Sequence, residues 1–245
     1  MISRLVVELK TLSKEKIDYN IGSALQGVLM KIIDTEYADK LHEQSLNPYS
    51  QYFFKNKDKL YWIINTFTKE ARENIIKPFL ENRVDDFFIK YKSERFTYKI
   101  VDIRDISYDD LQSNISNNKF ESYIYVEFIT PTSFKSSGEY KFIPDEKWII
   151  SSIYNKLKTF SKIELDEDII LSLIKNIRIV DYNLKSRRFN LEGVRIPSFM
   201  GNIKISTRKC SYKEREYASL IFSLAPYYGI GIKTSIGMGA VRIRY

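Results

Sequence analysis

One cysteine, Cys210, and one histidine, His42, are the whole supply of thiol and imidazole in a chain of 245 residues. A lone cysteine cannot close an internal disulfide, and one of each cannot furnish an ordinary structural zinc site. Carboxylates are the only other candidate ligands, so neither a metal nor a cofactor is expected. No run of about 18 apolar residues exists, which leaves no candidate spanning helix and no membrane partner. The opening MISRLVVELK mixes acid and base and lacks the apolar core of a secretory signal, so a cytoplasmic location is expected. Three nucleotide and RNA fingerprints are also missing: the phosphate loop G-x-x-x-x-G-K-[ST], the dinucleotide turn G-x-G-x-x-G and the RNP1 aromatic octamer.

What is present is a basic, aromatic chain with enough apolar content to build a real core. Hydrophobic residues make up 44%, which suits one large domain or two of ordinary size. Lysine and arginine number 39 against 31 acids, a net charge of +8 spread along the chain. That balance favours a polyanionic partner, although solubility alone also selects basic surfaces. The 18 Tyr and 15 Phe are often interleaved with cations, as in Phe87-Phe88-Ile89-Lys90-Tyr91-Lys92 and Arg95-Phe96-Thr97-Tyr98-Lys99. Such mixtures stack and neutralise single-stranded nucleic acid, and the same alternation also describes a half-buried strand.

Periodicity lays out the elements. Residues 2–10 read as a strand, and a helix follows through Ala24, Leu25, Val28, Leu29, Ile32 and Ile33, with Asn20 or Ser23 as its cap. Thr35 to Gln44 forms a short helical piece, closed by Pro48. Runs 51–55 and 59–67 make a hairpin about Asn56-Lys57-Asp58. Thr68 caps a helix that Pro78 weakens near Leu80; strands 84–91 and 95–106 follow, the second as an extra hairpin arm. The polar stretch from Ser107 to Lys119, with Asn114, Asn117 and Asn118, marks a boundary. Beyond it come a strand from Glu121 to Ile129, helices from Asp145 and Asp166, strands at 177–184, 187–192 and 199–207, a helix from Tyr212 to Leu224, and a last strand from Gly239 to Tyr245. The order strand, helix, two strands, helix, strand thus occurs twice. The expected class is α+β, a tandem pair of ferredoxin-like (RRM-like) βαββαβ domains over 1–115 and 116–245.

The last helix and strand are joined by Gly229-Ile230-Gly231-Ile232-Lys233-Thr234-Ser235-Ile236-Gly237-Met238-Gly239, which holds four of the nine glycines. Glycine reaches positive φ cheaply and admits a second backbone, so this stretch reads either as an anion cradle charged by Lys233 or as a tight helix-to-strand connection.

The spacing G-h-G, five residues including a cation, G-h-G, on tandem ferredoxin-like domains, resembles the RAMP superfamily of CRISPR-associated RNA-binding proteins. Within it the chain resembles the repeat-processing endoribonuclease family, Cas6. Leu25-Gln26-Gly27-Val28-Leu29, Leu41-His42-Glu43 with Pro48-Tyr49-Ser50, Thr130 to Lys135, and Gly193 with Phe199-Met200-Gly201 are similar to further segments of that family. The resemblance implies metal-independent cutting of precursor transcripts within each CRISPR repeat. The 2′-hydroxyl attacks the adjacent phosphate, giving a cyclic phosphate and a 5′-hydroxyl. It places the catalytic histidine at His42, since imidazole can act as base or acid near neutral pH. Some members carry a tyrosine and a lysine where this chain has Met30 and Asn47-Pro48, so Lys31, Tyr37 and Lys40 are substitutes by proximity.

For RNA the resemblance implies the loop residues Gly229, Gly231, Lys233, Thr234, Ser235, Gly237 and Gly239, with Arg187, Arg188, Arg195, Arg208 and Lys209 as further basic candidates. Expected partners are CRISPR repeat RNA, subunits of an effector complex, and a second copy of the chain as a homodimer. The competing expectation is a RAMP subunit that holds CRISPR RNA without cutting it.

Overall fold

A computed structural model describes residues 1–12, 17–81, 86–116 and 120–245. In the first half, β1 (Ile2–Thr11) leads through a short 3-10 turn into α1 (Gly22–Ile32) and α2 (Thr35–Glu43), then β2 (Tyr49–Asn56) and β3 (Lys59–Thr66). Next come α3 (Lys69–Ala71) and α4 (Lys77–Glu81), joined by a π-turn at Arg72–Ile76, and then β4 (Asp86–Ile89) and β5 (Glu94–Ile106). The strands form one antiparallel sheet in the order β2-β3-β1-β5-β4. Alternation explains its faces: Leu5, Val7 and Leu9 of β1 are buried against Leu25 and Leu29 of α1, while the residues between them turn away.

Three expectations change here. The extra arm is β4, because β5 is the strand that pairs with β1 along its whole length and closes the ferredoxin-like order. α1 has no side-chain cap: Asp18 caps the 3-10 turn before it, accepting from the Asn20 N–H, and the Asn20 side chain accepts from the Asn190 N–H across the molecule. Residues 84 and 85 of the expected strand, and Asn117 and Asn118 of the expected boundary, lie outside the described residues. The described part of that boundary is not loop: α5 (Tyr108–Ser116) is a helix, begun by Ser107, whose hydroxyl accepts from the Asp110 N–H.

The second half contains β6 (Tyr123–Thr132), a small hairpin of β7 (Phe134–Ser136) and β8 (Glu139–Lys141), α6 (Glu146–Phe160) and α7 (Glu167–Asn176). It continues with β9 (Arg178–Leu191), β10 (Val194–Ser206), α8 (Tyr212–Tyr228) and β11 (Val241–Arg244). Its sheet has the order β11-β6-β10-β9, the ferredoxin-like order again. The strands expected at 177–184 and 187–192 are one strand, β9, because Lys185 and Ser186 keep pairing with β10 instead of breaking. Asp145, Asp166 and Ser211 cap α6, α7 and α8, the last through a reciprocal box with Glu214.

The chain is therefore a tandem of ferredoxin-like folds, each with its own core. The outer faces of the sheets meet where Tyr52 and Ile63 pack with Ala240 and Ile129. Among the described residues no helix is long and apolar enough to cross a membrane.

Candidate active site between the two halves

The site is organised by the end of α8. The last carbonyls of a helix have no partner within it, and here other elements supply one for each. Arg4 of β1 donates to Pro226 O at 2.6 Å, Ser50 of β2 donates to Tyr227 O, and Lys156 of α6 donates to Tyr228 O at 2.6 Å and Gly229 O at 3.2 Å. Lys156 Nζ also reaches Thr234 Oγ1 at 2.9 Å, so one ammonium ties the start of the glycine loop to its middle. Burial pushes the Lys156 ammonium down to about 7, because no carboxylate accompanies it.

The loop itself is packed more tightly than an open anion cradle. Gly229, Ile230, Gly231, Ile232, Ile236, Met238 and Gly239 all spend their N–H groups inside the protein, on acceptors that include Ser152 Oγ, Ser133 O and Pro131 O. Gly231 has φ +87°, and a Cβ there would sit 2.3 Å from Ser133 O; Gly239 has φ +71°, with its Cβ 2.1 Å from Ile230 O. Across the domain interface Gly22, at the start of α1, lies so close that a Cβ would meet Ile236 O at 2.6 Å. The glycines therefore let three backbone segments converge, and what they present to solvent is the side chain of Lys233, held at φ +56° and exposed.

Beside this loop opens a cleft of about 620 Å³. One wall is the segment from Leu41 through His42, Gln44, Ser45, Leu46 and Asn47, together with Gln26 of α1; the other is Gly231 to Ile236. Lys135, Tyr140, Lys156, Leu191 and Glu192 complete it, the last two from the tip of the β9–β10 hairpin. His42 reaches the cleft because Asp34 caps α2 and Tyr37, Ala38 and Leu41 bury the opposite face, which turns the histidine outward in the last helical turn. Asn47 Nδ2 donates to Ser235 Oγ at 3.4 Å across the cleft.

The structure thus brings His42, Gly231, Lys233, Thr234 and Ser235 together. Thr234 faces inward to Lys156, and Gly229, Gly237 and Gly239 shape the loop from beneath. It does not bring Lys31, Tyr37 or Lys40 there. Lys31 lines a separate hollow with Phe87 and Phe88. Tyr37 is a core residue whose phenol burial pushes up, and Lys40 pairs with Glu70 at 2.5 Å. Arg187, Arg188 and Arg195 are exposed on the β9–β10 hairpin that leads to the cleft. Arg208 and Lys209 stand at the far end of the second sheet, where Arg208 lies 4.8 Å from the Tyr123 ring. Cys210 is buried, which pushes its thiol up to about 11, and among the described residues no group of three His, Cys, Asp or Glu could hold a metal ion.

Residues 126–241 match the family described as CRISPR-associated endoribonuclease Cas6. A protein of that description from Mycobacterium tuberculosis is 31% identical over 230 residues, covering 91% of this chain and 72% of the relative. The chain belongs to the Cas6 family. A Streptococcus thermophilus relative of the same description is 25% identical, covering 91% of each chain. In three dimensions a solved Cas6 product complex superposes with a TM-score of 0.78 over 100% of both chains at 20% identity, which shows the shared fold. Its relatives are endoribonucleases, so this member of the Cas6 family is an enzyme of that class rather than a holding subunit.

Among the cleft residues outside the sequence expectation are Gln26, Gln44, Asn47 and Lys156, with the buried Tyr49 beside Gln26 and Ser235. Lys156 had a readable signal, a cation on the same helical stripe as Ile149, Ile153 and Leu157. Tyr49 is fully buried, and burial pushes its phenol up to about 12; its hydroxyl lies against Gln26 and Ser235. Nothing in the one-dimensional pattern announces that contact.

Proposed function

We propose that this chain cuts CRISPR repeat RNA at the cleft between its halves, with His42 transferring a proton and Lys233 holding the phosphate backbone. The two halves are read as domains 1–115 and 116–245, each giving one wall. The observation that carries the reading is the meeting of His42, from the first half, with the Lys233 loop of the second in a single cleft open to solvent. RNA brings its own nucleophile. The 2′-hydroxyl gives up its proton, its oxygen bonds to the adjacent phosphorus, the bond from phosphorus to the 5′-oxygen breaks, and that oxygen takes up a proton. The products are a 2′,3′-cyclic phosphate and a 5′-hydroxyl. The protein must hold the strand in line, supply or remove one proton, and offset charge building on the phosphate. An imidazole at a cleft edge and a mobile ammonium on a rigid loop meet the last two needs.

The donor set supports metal independence, since the cleft offers one imidazole and one carboxylate, Glu192. Arg187, Arg188 and Arg195 extend the cationic surface along the hairpin. Effector-complex subunits, or a second copy of the chain, would dock on surfaces the RNA leaves open, and light scattering of the purified protein checks the second. For the main claim, the protein is incubated with repeat RNA in excess chelator and the fragment ends are mapped. Cutting at one position with a cyclic phosphate end is expected, and cutting that stops in chelator would count against the reading.

A further inference from the structure

Among the described residues Lys156 is the one lysine or arginine that is buried, and the proton transfer and phosphate holding proposed above give it no part. It enters along the apolar stripe of α6 and ends under the glycine loop, where Nζ meets Tyr228 O at 2.6 Å, Gly229 O at 3.2 Å and Thr234 Oγ1 at 2.9 Å. A buried ammonium ordinarily has a carboxylate beside it; this one has two carbonyls and a hydroxyl. Those partners suit either charge state. An ammonium donates one N–H to each oxygen, whereas a neutral amine donates to the two carbonyls and its lone pair accepts from the Thr234 hydroxyl. The group can therefore change charge while the loop keeps all three bonds.

The surrounding field decides which state is present. Burial without a counter-charge favours the amine and pulls the ammonium down to about 7. The other titratable groups lining the cleft are His42 of α2, Lys135 of β7, Tyr140 of β8, Glu192 at the hairpin tip and Lys233 of the loop, so Glu192 is the one carboxylate there among the described residues. On the α8 side the Tyr228 hydroxyl is bonded to that of Tyr108, and burial pushes both phenols up, so they stay neutral. An RNA strand lying against Lys233 and Ser235 brings phosphates beside the residue, Thr234, that bonds Lys156, and so reverses that balance. We propose that Lys156 takes up a proton from solvent when an RNA backbone fills the cleft, so that a second cation, set beneath the loop, joins Lys233 in holding the strand. This rests on the RNA function proposed above. The charge needs no contact with the strand, because a cation in poorly solvated surroundings acts beyond hydrogen-bond range and is little screened.

The test uses the full chain carrying His42→Ala, which leaves the RNA uncut and removes the imidazole that would also titrate near neutral pH. Titration calorimetry with repeat RNA at pH 8, in two buffers of different ionisation heat, counts the protons taken up. Uptake of about half a proton or more per bound RNA is expected, and affinity is expected to fall about fivefold to tenfold from pH 7 to pH 8.5. Adding Lys156→Gln, which keeps an N–H donor for the carbonyls and does not titrate, removes the uptake and leaves affinity within about twofold across that range. A lysine that only props the loop gives a different result: weaker binding by Lys156→Gln at every pH, with the slope unchanged. Melting curves establish that the variant folds, and Lys156→Met serves if it does not. Binding without proton uptake at pH 8, or an uptake that the Lys156 variant keeps, overturns the proposal while leaving the RNA function standing. Absence of binding at every pH contradicts the RNA function itself and the proposal with it.

Discussion

Lys156 and His42 show how differently a single residue can be written in a sequence. His42 was legible because its neighbours Leu41 and Glu43 carry a family resemblance. Lys31, Tyr37 and Lys40 are near His42 or its helix only along the chain, and nearness on a helix misleads: residues two apart face different ways, so Lys40 turns to Glu70 while His42 turns to the cleft. Lys156 makes the sharper prediction. Its ordinary pKa of 10.5 falls to about 7 on burial, so between those values the unfolded chain binds a proton that the folded chain does not. Stability on that account rises with pH from about 7 to 10.5 and is level outside the window. Urea unfolding at pH 7 and pH 9 is expected to show a gain for the unaltered protein that Lys156→Met lacks, on the order of 1–3 kcal/mol. Equal pH dependence in the two would contradict the burial of a titrating ammonium. Lys156→Met is also less stable at both pH values, because Tyr228 O and Gly229 O lose their donor.

For the glycine-rich element, spacing disclosed the loop but not its mechanics. The pattern of glycines is one-dimensional, whereas the reason for them lies in Ser133, Gly22 and Ile230, which approach from three parts of the chain. The loop is a tight connection whose N–H groups are spent inside the protein, and it displays a cation because it is tight. Gly231→Ala, with φ +87° and a carbonyl 2.3 Å from the added carbon, should destabilise the fold by about 2 kcal/mol or more and weaken RNA binding with it. Gly27→Ala makes the control. That glycine is exposed within α1, a Cβ there meets nothing within 4 Å, and the change should stabilise by about 0.5–1 kcal/mol. Thermal melts of the two variants should move in opposite directions; a Gly231→Ala protein that melts no lower than the unaltered one would show that the loop tolerates a side chain. The elements themselves were mostly legible, since capped helices and alternating strands follow local rules. The errors fell where tertiary pairing decides: β9 runs on through a polar stretch because β10 pairs with it, and α5 forms in a polar run because Leu111 and Tyr108 pack on the second core.

At the scale of the whole molecule the two ferredoxin-like halves were readable as a repeated pattern, and their mutual placement was not. That placement is set by contacts with no sequence period: beside the packing of Tyr52 and Ile63 on Ala240, Arg4, Ser50 and Asn65 gather about the end of α8, with Arg4 Nε 2.7 Å from Asn65 Oδ1 and its guanidinium 4.3 Å from the Tyr227 ring. The same contacts fix the glycine loop against the segment bearing His42, so the cleft exists only in the assembled pair. The account therefore separates holding from cutting, the first assigned to the loop of one half and the second to the histidine of the other. One paired measurement tests that separation: cleavage and binding of repeat RNA by His42→Ala beside Lys233→Ala, in excess chelator. The account predicts that His42→Ala binds as the unaltered protein does and cuts about a hundredfold or more slowly. Lys233→Ala should bind weakly and recover cutting at high protein concentration. Undiminished cutting by His42→Ala would contradict it.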